Sequence, residues 1–210
     1  MKPKDLLVRI ISLGVVMGTV ASAQEGLYDP APPANSAFVR VFNPEKTGVD
    51  VAVDKKTYGK INAFAASSYQ VIPEGNRTLT FNKENSALKF TAGKYYTLVL
   101  QANQVAVLED VANTNRAKAL ITVYNLSDSK NLSLKTADGK VTVLKDIEVG
   151  KSKSQAVNGI KVALSVLNDT KAIEAFKETQ LERGAAYSVF VTGSKGNYRA
   201  VWVQSTTTTK

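Results

Sequence analysis

The chain has 210 residues, 44% of them hydrophobic, and a formal charge of +9, with no histidine and no cysteine. This composition excludes a disulfide, a lipid-attachment thiol, a thiolate nucleophile, soft metal ligands and any serine nucleophile activated by imidazole. Stability must come from an apolar core, and the length allows one large or two small domains.

Lys2, Lys4 and Arg9 precede an apolar run from Ile10 to Val20 and then Ala21-Ser22-Ala23. A basic start, an apolar stretch too short to span a bilayer and an A-x-A site describe a secretory signal peptide over residues 1–23. The mature chain is expected to begin at Gln24, to carry +7 and to work outside the cytoplasm. A basic exported protein meets an anionic membrane surface or an acidic polysaccharide rather than nucleic acid. Residues 24–35 follow with three prolines in four positions, Pro30, Pro32 and Pro33, which favours an extended arm. The arm is either a passive tail or a partner-binding segment anchored by Leu27 and Tyr28.

From Ser36 the period is two, with Phe38, Arg40 and Phe42 on one face and Ala37, Val39 and Val41 on the other. Strands are predicted at 49–53, 65–71, 78–81, 95–101 and 104–108, separated by turn formers such as Pro73-Glu74-Gly75-Asn76. The opening run S-A-F-V-R-V-F-N then returns as L-I-T-V-Y-N at 120–125, so that Asn43 aligns with Asn125 and Phe42 with Tyr124. A second echo matches Gly93-x-x-Tyr96 with Gly184-x-x-Tyr187. Offsets of 82 and 91 residues indicate duplicated domains rather than a solenoid, whose repeats run to roughly 20–50 residues. In the second copy strands are predicted at 120–124, 132–136, 141–144, 160–167, 187–192 and 198–204. Ile160, Val162, Leu164 and Val166 form an inward face there, with Lys161, Ala163 and Ser165 outward; 171–181 reads as strand rather than helix. The fold class is therefore all-β: two tandem β-sandwiches of Ig-like or jelly-roll-like kind, at 36–109 and 119–205. A polar linker joins them at 110–118, and an unordered tail follows at 206–210.

The remaining catalytic chemistry is thin. Ser152 lies between Lys151 and Lys153, but consecutive lysines in a polar segment face water, whereas a lysine base must be buried. Asp50 and Asp54 share a strand face, too few oxygens for calcium. No catalytic residue, metal site or cofactor is assigned. Two binding chemistries stay open. Lys55, Lys56, Lys60, Lys151 and Lys153 are either solubilising charges or contacts to a polyanion. Tyr58, Tyr69, Tyr95, Tyr198 and Trp202 are the candidates for sugar-stacking aromatics; for Trp202 in V-W-V, where either Trp202 or the valines face the core, burial is the expectation.

The residues L-Y-x-P-x-x-P at 27–33, S-A-F-V-R-V-F-N at 36–43 and G-K-Y-Y-T from Gly93, after a signal peptide, resemble the AlgF family of periplasmic alginate biosynthesis proteins. The resemblance implies an accessory, non-catalytic part in O-acetylating mannuronate residues of alginate in the periplasm. It also implies partners: periplasmic acetyltransferases like AlgJ and AlgX, which have the serine, histidine and aspartate this chain lacks, and a membrane-bound O-acyltransferase. Three functions follow as expectations: an adaptor bridging those enzymes, a carbohydrate-binding module holding the anionic polymer, and an acetyl carrier using serine, threonine or lysine.

Overall fold

A computed structural model describes residues 31–102 and 104–208. The expected signal peptide and the anchors Leu27 and Tyr28 lie outside them. The first half contributes β1 (Ser36–Asn43), β2 (Val49–Val53), β3 (Lys56–Ile61), β4 (Ala65–Ala66), β5 (Tyr69–Pro73), β6 (Gly75–Phe81), β7 (Glu84–Phe90), β8 (Tyr95–Gln101) and β9 (Gln104–Asp110). The second contributes β10 (Lys118–Ser127), β11 (Leu132–Thr136), β12 (Thr142–Ile147), β13 (Ser152–Asn158), β14 (Lys161–Val162), β15 (Leu164–Asn168), β16 (Lys171–Ala175), β17 (Thr179–Gln180), β18 (Ala186–Ser194) and β19 (Asn197–Ser205). A last strand, β20 (Thr207–Thr208), crosses back to the first half. No helix occurs among the described residues.

Each half is a sandwich. An inner sheet ordered β20-β5-β1-β8-β9 covers an outer sheet β3-β2-β6-β7, and an inner sheet β13-β10-β18-β19 covers an outer sheet β12-β11-β15-β16. Val39, Val41, Val51, Leu79, Phe81 and Leu98 fill the first core; Ile121, Val123, Leu134, Val166, Val189 and Val191 fill the second. Both inner sheets place a parallel pair at the centre, β1 with β8 and β10 with β18.

The duplication is visible bond by bond. Phe38 is the cross-strand partner of Tyr95, and Leu120, its aligned counterpart, is the partner of Ala186. Gly93 N–H donates to the Ser36 carbonyl and Gly184 N–H to that of Lys118, and both glycines have positive φ, 73° and 79°. The Asn43 amide donates to the carbonyls of Thr47 and Ile61; the Asn125 amide donates to those of Ser129 and Ile147. Each asparagine also accepts from a backbone N–H two residues on, at Glu45 and Ser127. These side chains are fully buried, and each closes its turn by donating to two carbonyls.

Several expectations are corrected. Asp110 is not a linker residue but the buried end of β9. Residues 207–208, expected in an unordered tail, hydrogen-bond to β5. Ile160 is 52% exposed and Ser165 is buried, because the expected strand 160–167 is broken at Ala163 into β14 and β15. Ser165 is held by donation to the Glu174 carbonyl. Strands β3, β7 and β13 were not anticipated.

Candidate functional site

The inner sheets pack face to face. Phe42 and Phe190 stack with centroids 4.0 Å apart, Tyr124 stacks on Phe190 at 4.6 Å, and Val99 completes a third apolar cluster between the halves. β1 is consequently buried on both faces, and Arg40, flanked by Phe38 and Phe42 on the junction face, is only 1% exposed.

Side chains from both halves satisfy this guanidinium. Arg40 Nε donates to Thr97 Oγ1 at 2.8 Å, Nη1 to Ser205 Oγ at 2.9 Å, and Nη2 to both Tyr124 OH and Ser188 Oγ at 2.9 Å. Asp110 supplies the counter-charge: its Oδ2 accepts from Tyr69 OH at 2.6 Å and Thr97 Oγ1 at 2.5 Å, and its Oδ1 from Tyr124 OH at 2.7 Å. Arg40 Nε and Asp110 Oδ2 are 4.0 Å apart. The rings of Tyr69, Phe190 and Tyr124 lie 4.6, 5.1 and 5.5 Å from the guanidinium carbon, so its faces are covered as well as its edge. Burial opposes the Arg40 charge, yet Tyr124, Tyr69 and Asp110 hold the group above its ordinary value. Burial also drives the phenols of Tyr69 and Tyr124 upward, so both remain donors.

The repeat explains how this site arose on one side. Arg40 stands where the second copy has Thr122, and Asp110, opposite Tyr95, stands where the second copy has Ser205, opposite Ala186. One copy supplies both charges; the other supplies hydroxyls that receive Arg40. This is a clamp rather than a reaction centre. The Thr97, Ser188, Tyr69 and Tyr124 hydroxyls are buried and that of Ser205 is half-buried, and Ser188 and Ser205 accept from a cation instead of facing a base.

The residues singled out in the sequence are spread over the surface. Tyr58 and Lys60 meet in a hollow of about 330 Å³ that also includes Gln70 and Thr208. Tyr58 is held there by donation to the Val39 carbonyl at 2.8 Å, and burial raises its phenol above the ordinary value. Lys55 is exposed in the β2–β3 turn, and Lys56 and Lys60 lie on β3. Lys151 precedes β13 and Lys153 lies on it, both exposed, with Lys153 Nζ donating to the Lys145 carbonyl. Trp202 is half-buried on β19 against Tyr187 and Phe176. Asp54 caps Thr78 N–H and lies 3.4 Å from Arg77; no acidic cluster able to hold a metal occurs among the described residues.

At the far end of the junction a hollow of about 730 Å³ lies between Phe64, Lys46, Leu126, Tyr198 and Arg199. Arg199 sits 4.2 Å over the Phe64 ring. Nearby, Asp128 accepts from Lys195 N–H and from Tyr198 OH, which lowers the pKa of Asp128 and raises that of Tyr198. A carboxylate depressed in the folded state stabilises above its unfolded value, and that contribution disappears as pH falls through the folded value. Urea midpoints of the parent and Asp128→Asn should therefore differ at about pH 6 and converge at about pH 2.

The family model for alginate O-acetyl transferase AlgF matches residues 10–188, a span that holds the first repeat and most of the second. The alginate biosynthesis protein AlgF of Pseudomonas aeruginosa is 34% identical over 195 residues, covering 92% of this chain and 90% of its relative. The chain belongs to the AlgF family. The AlgF of Pseudomonas fluorescens is 33% identical, covering 96% of this chain and 90% of that one. Among solved structures, the C-terminal domain of P. aeruginosa AlgF is 40% identical, covering 42% of this chain and 98% of that domain, with a TM-score of 0.39. No described helix of this AlgF-family chain is long and apolar enough to cross a membrane.

Proposed function

We propose that this chain is a non-catalytic periplasmic adaptor in the O-acetylation of alginate, bridging periplasmic acetyltransferases like AlgJ and AlgX and the side of the membrane-bound O-acyltransferase. The observation that carries the reading is the Arg40 clamp. It joins two duplicated domains into one unit, and its two serine hydroxyls accept from the Arg40 guanidinium instead of donating to a base. Although the family description calls its members transferases, a chain without histidine or cysteine serves the chemistry better by holding enzymes in a fixed relation than by carrying an acyl group. Two linked binding surfaces raise the local concentration of one partner near another without new contacts.

Deletion of the gene should leave the polymer made but unacetylated. The purified mature chain, incubated with an acetyl donor and oligomannuronate, should show neither product nor acyl adduct by mass spectrometry. Acetyl transfer by the chain alone would overturn the reading, and saturable, salt-weakened binding of oligomannuronate would favour a polymer-holding module instead.

A further inference from the structure

Among the described residues, strand β19 is the open edge of its sheet, bonded to β18 and to no other strand. The turn before it, Lys195-Gly196, has φ values of 52° and 85°, as a two-residue type I′ hairpin requires. Ser194 and Asn197 therefore form the closing hydrogen-bonded pair, and pairing alternates from there. Arg199, Val201 and Val203 point their backbone groups at β18, while Tyr198, Ala200 and Trp202 point theirs outward.

That outward edge opens into a groove. Every residue from Tyr198 to Trp202 lines one hollow of about 570 Å³, whose far wall is Glu174 and Phe176. Five consecutive strand residues can share a hollow only if it follows the strand's edge, since one face would contribute alternate residues. Tyr198 and Arg199 also line the neighbouring hollow at the domain junction. Edge strands are ordinarily blunted by charges or bulges. Here β2 and β3 meet at a bulge and β3 carries Lys56 and Lys60, and β15 and β16 meet at another bulge. The run Ala200-Val201-Trp202-Val203 has neither.

We infer that the β19 edge receives an extended segment of a partner protein as an added strand. The segment carries an acidic side chain toward Arg199 and an apolar side chain three residues away toward Phe176 and Trp202. Positions three apart fall on opposite faces of a strand, matching Arg199 on the junction face and Trp202 on the core face. Arg199 has no carboxylate within ion-pair distance among the described residues, and its guanidinium is held in place by the Phe64 ring. A polyuronate fits less well. Arg199 already lies over the Phe64 ring and Tyr187 stacks on Trp202, so each ring has one face taken. Lys46 and Arg199 are also offset by Glu45 and Glu174, against a polymer with a carboxylate on every sugar.

The inference rests on the adaptor reading. Hydrogen exchange of the mature chain, alone and with a purified periplasmic alginate acetyltransferase, tests it. The amides of Tyr198, Ala200 and Trp202 should slow at least about tenfold in the complex. Arg199→Glu should weaken the complex about tenfold with an unchanged melting temperature. A complex that leaves those amides unprotected overturns the edge site and leaves the adaptor standing. Absence of any complex overturns both, and protection produced by oligomannuronate instead would assign the groove to sugar and overturn the peptide.

Discussion

Replacing Arg40 with methionine should cost about 3–5 kcal/mol of folding stability, because it leaves the Asp110 carboxylate buried without its counter-charge. For a chain of this size the melting midpoint should drop by roughly 6–20 °C. Three hydroxyls would still donate to Asp110, but Ser188 and Ser205 would lose the donor that ties them to the first half. The same variant should therefore split a single unfolding transition into two, as the halves lose their common clamp. Arg40→Met combined with Asp110→Asn should cost less than the sum of the single changes, since no unpaired charge remains. Urea unfolding followed by fluorescence and by circular dichroism reads both effects. A loss below about 1 kcal/mol for Arg40→Met would mean that the clamp holds nothing.

Phe190→Ala should have a comparable effect by a different cause. Phe190 is fully buried between Phe42 and Tyr124, and its removal opens a cavity between the halves at a cost of about 3–5 kcal/mol. The cores within each sandwich stay filled, so hydrogen exchange should quicken along β1 and β18 while β6 and β11 remain protected. Phe190→Leu should restore much of the loss, because the site is apolar and volume is what it lacks. If Phe190→Ala unfolded both outer sheets equally, the junction would not be a separate layer.

The repeat was legible because it rests on residues whose chemistry is local. A glycine at positive φ, an asparagine closing a turn and a two-period apolar run leave the same mark each time they occur. The clamp was not legible, because its members lie as much as 165 residues apart and an arginine in an alternating strand reads as a solvated face. One signal was present: Arg40 alternates with Phe38 and Phe42, and a face exposed to water has little reason to hold two phenylalanines. Asp110 was assigned to the linker because polar residues follow it; only its pairing opposite Tyr95 shows the strand continuing. Strands β3, β7 and β13 escaped because each has one solvated face and few apolar residues, as in K-T-Y-G-K-I. Trp202 in V-W-V packs against a core as expected, but the valine face beside it is covered too. β19 lies in a sheet covered on both sides, so Trp202 packs in the second sandwich and Val203 against the junction.

Sedimentation of the mature chain mixed with a purified periplasmic alginate acetyltransferase addresses the central claim most directly. A co-sedimenting complex of fixed stoichiometry, weakened by Phe190→Ala under conditions where each half stays folded, is the result expected of an adaptor whose two domains act as one body. No complex at any concentration, in a system where alginate is acetylated normally without this chain, would contradict it.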